Sequence, residues 1–196
     1  MKKIIFILCI ITLQILTANS STKTILTEGL GVSKNQAYPN LVQELAKNEL
    51  NKNIKVINGG VSGSTTNDAL SRLKWYLKRK PDIVFVALGA NDGLRGLNLT
   101  QSQKNLEEII THAQKANAKV LLAGMLIPPN YGPAYSKEFK DMYLKIKEKY
   151  NLRFMPFLLK DVAGVQELNQ ADGIHPNAKG HKIIAKEVFK FLKEEL

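Results

Sequence analysis

Cysteine is almost missing from this 196-residue chain, with Cys9 its single instance. Cys9 lies in an N-terminal leader-like run, so the rest of the chain can form no disulfide, thiolate metal site or cysteine nucleophile. Histidine is scarce as well. His112, His175 and His181 have no metal-ligand spacing, so no metal is expected. Neither a phosphate-loop pattern nor a Gly-x-Gly-x-x-Gly fingerprint occurs, which argues against a nucleotide or flavin module and leaves no cofactor to expect. Internal repeats and low-complexity linkers are absent too. No apolar run comfortably reaches membrane-spanning length.

What is present begins with an address. Lys2 and Lys3 precede a mostly apolar run from Ile4 to Leu16, and Ala18-Asn19-Ser20 supplies the small residues that a signal peptidase prefers. Residues 1–20 are therefore expected to be a signal peptide cleaved near Ala18–Ser21. Residues 21–196 then form one domain of a periplasmic or secreted protein without a stable membrane span. Leu8 is too bulky for a lipoprotein processing site at Cys9. The formal net charge is +11, two units of which leave with Lys2 and Lys3. Apart from Lys78-Arg79-Lys80 the lysines are scattered along helical faces, so a solvated basic surface is expected, with no nucleic-acid partner.

From Thr24 onward, β-type runs alternate with amphipathic segments. Strands are expected at 24–27, 54–57, 83–88, 120–123 and 153–155. Helices are expected from Pro39, around 69–77, at 101–116, at 139–150 and over 183–192. Ile83 to Leu88 is continuously apolar, the mark of a central parallel strand covered on both faces. The alternation implies an α/β domain with a parallel sheet and right-handed crossovers. Ligands in such sheets sit beyond the carboxyl ends of the strands.

Three polar loops follow those strand ends. Asn58-Gly59-Gly60-Val61-Ser62-Gly63 can present backbone N–H groups to an anion, or simply make a tight turn. Gly89-Ala90-Asn91-Asp92-Gly93 offers an amide donor to a developing oxyanion, or an Asx-turn. In Asp172-Gly173-Ile174-His175, the carboxylate and imidazole stand three residues apart. Asp172 can then hold one ring nitrogen and leave the other as a general base. Asn98 is expected to cap the third helix, and His112 and His181 are expected at the surface of theirs.

Together the blocks Asn58-x-Gly60-x-Ser62-Gly63, Gly89-x-Asn91-Asp92 and Asp172-x-x-His175 resemble the SGNH (GDSL) hydrolase family. The resemblance is to its arylesterase and thioesterase–lysophospholipase branch. It runs from about Ile25 to the C-terminus and extends to Asn91-Asp92-Gly93-Leu94-Arg95-Gly96 and Ile127-Pro128-Pro129-Asn130-Tyr131-Gly132. It implies a flavodoxin-like three-layer α/β/α sandwich on a five-stranded parallel sheet. It also implies Gly60 and Asn91 as oxyanion donors and His175 as a base oriented by Asp172. Acyl esters, thioesters or lysophospholipids are the implied substrates, handled by a monomer. The Pro128–Tyr135 loop and Leu94–Leu97 are expected to shape the acyl pocket.

One block of the family is missing. Its nucleophile lies in a Gly-Asp-Ser-Leu turn directly after strand one, and no such sequence occurs here. The chain passes from Glu28-Gly29 to Leu30-Gly31-Val32 and resumes the family pattern at Gln36-Ala37-Tyr38-Pro39, about six residues short. Ser33 is the candidate substitute, while Ser62 is expected to serve its own turn or cap the next helix. Two readings follow. One is an ester hydrolase with His175, Asp172, Gly60 and Asn91 in these roles. The other is an impaired member that binds a lipid or ester without turnover.

Overall fold

The computed structural model describes residues 21–25 and 29–196; the expected signal peptide lies outside them. Five strands, β1 (Ser21–Ile25), β2 (Ile54–Asn58), β3 (Ile83–Val86), β4 (Lys119–Ala123) and β5 (Arg153–Met155), form one sheet of order β2-β1-β3-β4-β5. Every pairing is parallel. The order reverses at β1, with β2 on one side and β3 on the other. That switch point is where such sheets open a crevice at their carboxyl edge.

Helices cover both faces. α1 (Tyr38–Leu50) packs with α6 (Ala178–Leu192), while α2 (Thr66–Leu77), α4 (Leu99–Lys115) and α5 (Pro133–Lys149) pack side by side. The three-layer α/β/α expectation holds. All four residues of β3 are buried, as a strand covered on both faces requires. Asn98 accepts from the Gln101 N–H and caps α4.

Several elements differ from the sequence reading. A five-residue helix, α3 (Ala90–Leu94), follows β3 directly. Gly89 makes this turn possible: its φ is +107°, and a Cβ there would stand 2.3 Å from the Tyr143 hydroxyl. α5 starts six residues earlier than its apolar period suggests, with Pro133 in its first turn. β1 spans Ser21–Ile25, so the expected strand at 24–27 overlaps it only at Thr24 and Ile25, and residues 26–28 lie outside the described ones.

This placement of β1 has a cost. Lys23 is 5% exposed in the middle of the sheet, beside Val56 of β2 and Ile83 of β3. Burial pushes its ammonium below the ordinary lysine value, against the pull of Asp82.

Candidate active site

The loops after β2, β3, β4 and β5 and the segment before α6 enclose one cavity of about 550 Å³. Such a volume suits a small organic ligand. It lies at the carboxyl edge, around the switch point. Leu30, Val61, Leu94, Met125, Leu126 and Ile127 give it an apolar wall, and Gly60, Asn91 and His175 add polar atoms.

The histidine loop is built from its own hydrogen bonds. Asp172 Oδ1 accepts the backbone N–H groups of Ile174 and His175, each at 3.0 Å, and Oδ2 stands 2.7 Å from His175 Nδ1. The His175 N–H, then that of Ile174, then the imidazole hold the Asp172 carboxyl at about 2. Asp172 is thus ionised across the physiological range and keeps the proton on Nδ1, which leaves Nε2 as the basic atom. The loop is pinned at its base. The Gln170 backbone N–H donates to the His175 carbonyl at 2.7 Å, and the Gln170 side chain donates to the Leu30 and Pro176 carbonyls. Asn177 then accepts from Lys179 and Gly180 and opens α6.

The donor loops are shared with the scaffold. Asn91 spends one amide hydrogen on the Ser64 carbonyl at 3.0 Å, and its other hydrogen is not taken by that bond. The Gly60 N–H donates to Asn58 Oδ1 at 3.1 Å, so an oxyanion has to compete with Asn58 for it. Arg95 donates to the Gly63 carbonyl at 2.8 Å from the other side. Asp92 does not face the cavity chemistry at all. It is 1% exposed and accepts from Thr66 N–H at 3.0 Å, Thr66 Oγ1 at 2.6 Å and Ser102 Oγ at 2.7 Å, tying α2, α3 and α4 together.

The expected substitute nucleophile is not at the cavity. Ser33 does not line the cavity. It is exposed at the start of a 3-10 turn, with its hydroxyl 2.5 Å from Asn35 Oδ1 and 2.8 Å from Gln36 Oε1. Its own local turn outcompetes any reach toward His175. Ser64 lines the cavity but is buried, donates toward Asp68 at 3.1 Å and accepts from Arg72. Ser62 lines it from an exposed position on the turn after β2. Thr65 caps α2 rather than Ser62, through a reciprocal box with Asp68.

Of the residues expected to shape an acyl pocket, Leu94, Pro128 and Pro129 line the cavity. Tyr131 and Tyr135 instead brace it, donating to the carbonyls of Leu94 at 2.7 Å and Leu97 at 3.0 Å. Phe157 and Leu158 complete the wall and carry no polar signal that would have found them. His112 is half-buried on α4, its Nδ1 2.8 Å from the Glu108 carbonyl. His181, expected at the surface, is 4% exposed and also lines the cavity. Its Nδ1 accepts the Tyr38 N–H at 3.3 Å, and burial lowers its pKa. Among the described residues no three His, Cys, Asp or Glu side chains gather as a metal group.

Known proteins resemble this chain in sequence and fold. Residues 26–183 match the GDSL-like lipase/acylhydrolase family. The chain is 36% identical over 190 residues to esterase TesA of Pseudomonas aeruginosa, covering 93% of this chain and 94% of that one. It is 34% identical over 161 residues to the thioesterase 1/protease 1/lysophospholipase L1 of Escherichia coli, covering 82% and 76%. Among solved structures, the psychrotrophic esterase EstA from Pseudoalteromonas, inhibited by monoethylphosphonate, superposes with a TM-score of 0.84 at 37% identity, covering 89% of this chain and 98% of that one.

Proposed function

Because the chain belongs to the GDSL-like lipase/acylhydrolase family, we propose that its cavity is a carboxylic-ester hydrolase site for acyl esters, acyl thioesters or lysophospholipids. His175 is the general base, Asp172 fixes its tautomer, and Asn91 with Gly60 stabilises the tetrahedral oxyanion. The apolar wall from Met125 to Ile127 receives the acyl chain. The observation that carries this reading is the 2.7 Å Asp172–His175 pair on the wall of the cavity that Asn91 also lines. The protein acts as a monomer, exported to the periplasm or beyond.

The second reading, binding without turnover, has its own support. The Gly-Asp-Ser-Leu turn is absent from the sequence, Ser33 is bound to its own turn, and Ser64 is bound to Asp68 and Arg72.

Hydrolysis of p-nitrophenyl butyrate by the wild type, by His175→Ala and by a chain with a Gly-Asp-Ser-Leu turn and its tail inserted after Glu28 separates the readings. A working base contributes about 10²–10⁴-fold. Equal rates for wild type and His175→Ala exclude an active triad in the natural chain. Activity that appears only on insertion, and disappears again with His175→Ala, assigns the loss to the nucleophile alone. A serine adduct of a fluorophosphonate on the natural chain, read by intact mass, excludes binding without turnover.

A further inference from the structure

The far end of α2 carries a surface that the ester site does not use. Trp75, the only tryptophan of the chain, is 50% exposed. Tyr76 meets its ring edge-on at 4.9 Å between centroids, and the Arg79 guanidinium lies 4.1 Å from the Trp75 ring centre and 5.7 Å from that of Tyr76. Lys74, Lys78 and Lys80 beside them in the chain are all exposed. Between Asp68 and Asp82 the chain has no acidic residue. An indole and a phenol with apolar bodies and polar tips favour the boundary between water and lipid. Lysine and arginine beside them are drawn to anionic headgroups.

We propose that this end of α2 docks on an anionic phospholipid surface, with Trp75 at headgroup level and Lys74, Lys78, Arg79 and Lys80 against the lipid phosphates. The patch is the convex end of a helix and fits a flat partner. Single-stranded nucleic acid is held differently, in a groove where successive bases stack on aromatic rings, and here the Trp75 face is already covered by Arg79. α2 begins at Thr66 beside the cavity and runs 12 residues away from it, about 18 Å at the helical rise. Docking therefore leaves the cavity mouth on the opposite edge of the sheet, open to solvent.

The lone tryptophan makes the test direct. Full-length protein is mixed with vesicles of phosphatidylcholine alone or with phosphatidylglycerol added, and followed by Trp75 emission and by co-sedimentation. The expected result is a blue shift and sedimentation with anionic vesicles only, both reduced by high salt. Lys78→Glu/Arg79→Glu/Lys80→Glu weakens sedimentation about 100-fold or more. Lys182→Glu/Lys186→Glu/Lys190→Glu, an equal charge change on α6, leaves most of it. Trp75→Ala, checked for an unchanged melting curve, also weakens it. Equal losses in the two triple variants mean bulk charge and overturn the proposal. So does binding to neutral vesicles, an unshifted emission, or displacement from vesicles by an oligonucleotide at lower concentration than by free anionic lipid.

Discussion

Replacing Asp92 tests whether the Asn91-Asp92 block divides into one catalytic and one structural residue. The carboxylate is buried and receives three hydrogen bonds, two from Thr66 and one from Ser102. Thr66 is the first residue of α2, so the charge also meets an orphan N–H and the positive end of that helix. Hydrogen bonds to a charged group contribute about 1.5–3 kcal/mol each, less than additively when they share one acceptor. Removing Asp92 also removes the cost of burying its charge, which offsets part of the loss. Asp92→Ala is therefore expected to cost about 3 kcal/mol. At about 2–4 °C per kcal/mol for a domain of this size, the melting temperature falls by roughly 6–12 °C. Asp92→Asn, which keeps the shape and one acceptor, falls between Ala and wild type. Urea unfolding reads both, and a cycle with Ser102→Ala isolates one bond, with a coupling of about 0.5–3 kcal/mol expected. An Asp92→Ala midpoint within about 0.5 kcal/mol of wild type, inside the range of ordinary surface changes, refutes the structural assignment.

Three further outcomes follow from buried groups. Lys23→Met is expected to stabilise by about 1–3 kcal/mol at pH 7. Because burial lowers the folded pKa of Lys23 below its unfolded value, the charge penalty fades as pH rises toward 10.5, so the gain in urea melts must shrink between about pH 7 and 10. His181 also titrates lower when folded, so the unfolded chain takes up a proton first and stability falls as pH drops below about 6.5. His181→Asn, which keeps an acceptor for the Tyr38 N–H, should flatten that slope relative to wild type. Gly89→Ala forces a Cβ to within 2.3 Å of the Tyr143 hydroxyl at a φ of +107° and should cost about 2–4 kcal/mol in thermal melts.

The sheet was legible because its central strands are uninterrupted apolar runs, and the helices because their buried residues recur at the 3.6 period. That Gly60, Asn91 and His175 meet at one cavity was legible because the loops that carry them all follow strands at the carboxyl edge of the sheet. The errors have equally local causes. α3 is only five residues long and contains Gly93, so it shows no period. The first turns of α5, residues 133–138, hold no fully buried residue, and only Pro133 announces them. His181 was readable after all. It precedes the buried Ile184, Ala185, Val188 and Leu192 by 3, 4, 7 and 11 positions, which places it on the apolar face of α6. Lys23 was not readable, because a lysine before a β-type run looks like a solvated flank unless the strand is known to reach it.

Lys23 and the histidine loop lie on either side of the insertion point after Glu28. The Leu30 carbonyl accepts from Gln170, and a Cβ on Gly31 would meet the Gln170 amide at 2.2 Å. Gln170 in turn donates through its backbone to the His175 carbonyl. The Leu30–Gly31 turn is thus clamped to the loop that carries His175. With Leu30 held by Gln170, residues inserted after Glu28 are expected to act on β1. β1 is then free to slide toward its amino end, carry Lys23 out of the apolar layer and bring apolar residues in behind it. The inserted turn meanwhile emerges at the β1–β3 switch point, facing the cavity. A gain of His175-dependent activity on insertion should therefore come with a gain of stability, and Lys23→Met should add little to the inserted chain. Activity gained while Lys23→Met keeps its full effect means that the buried lysine is independent of the missing turn.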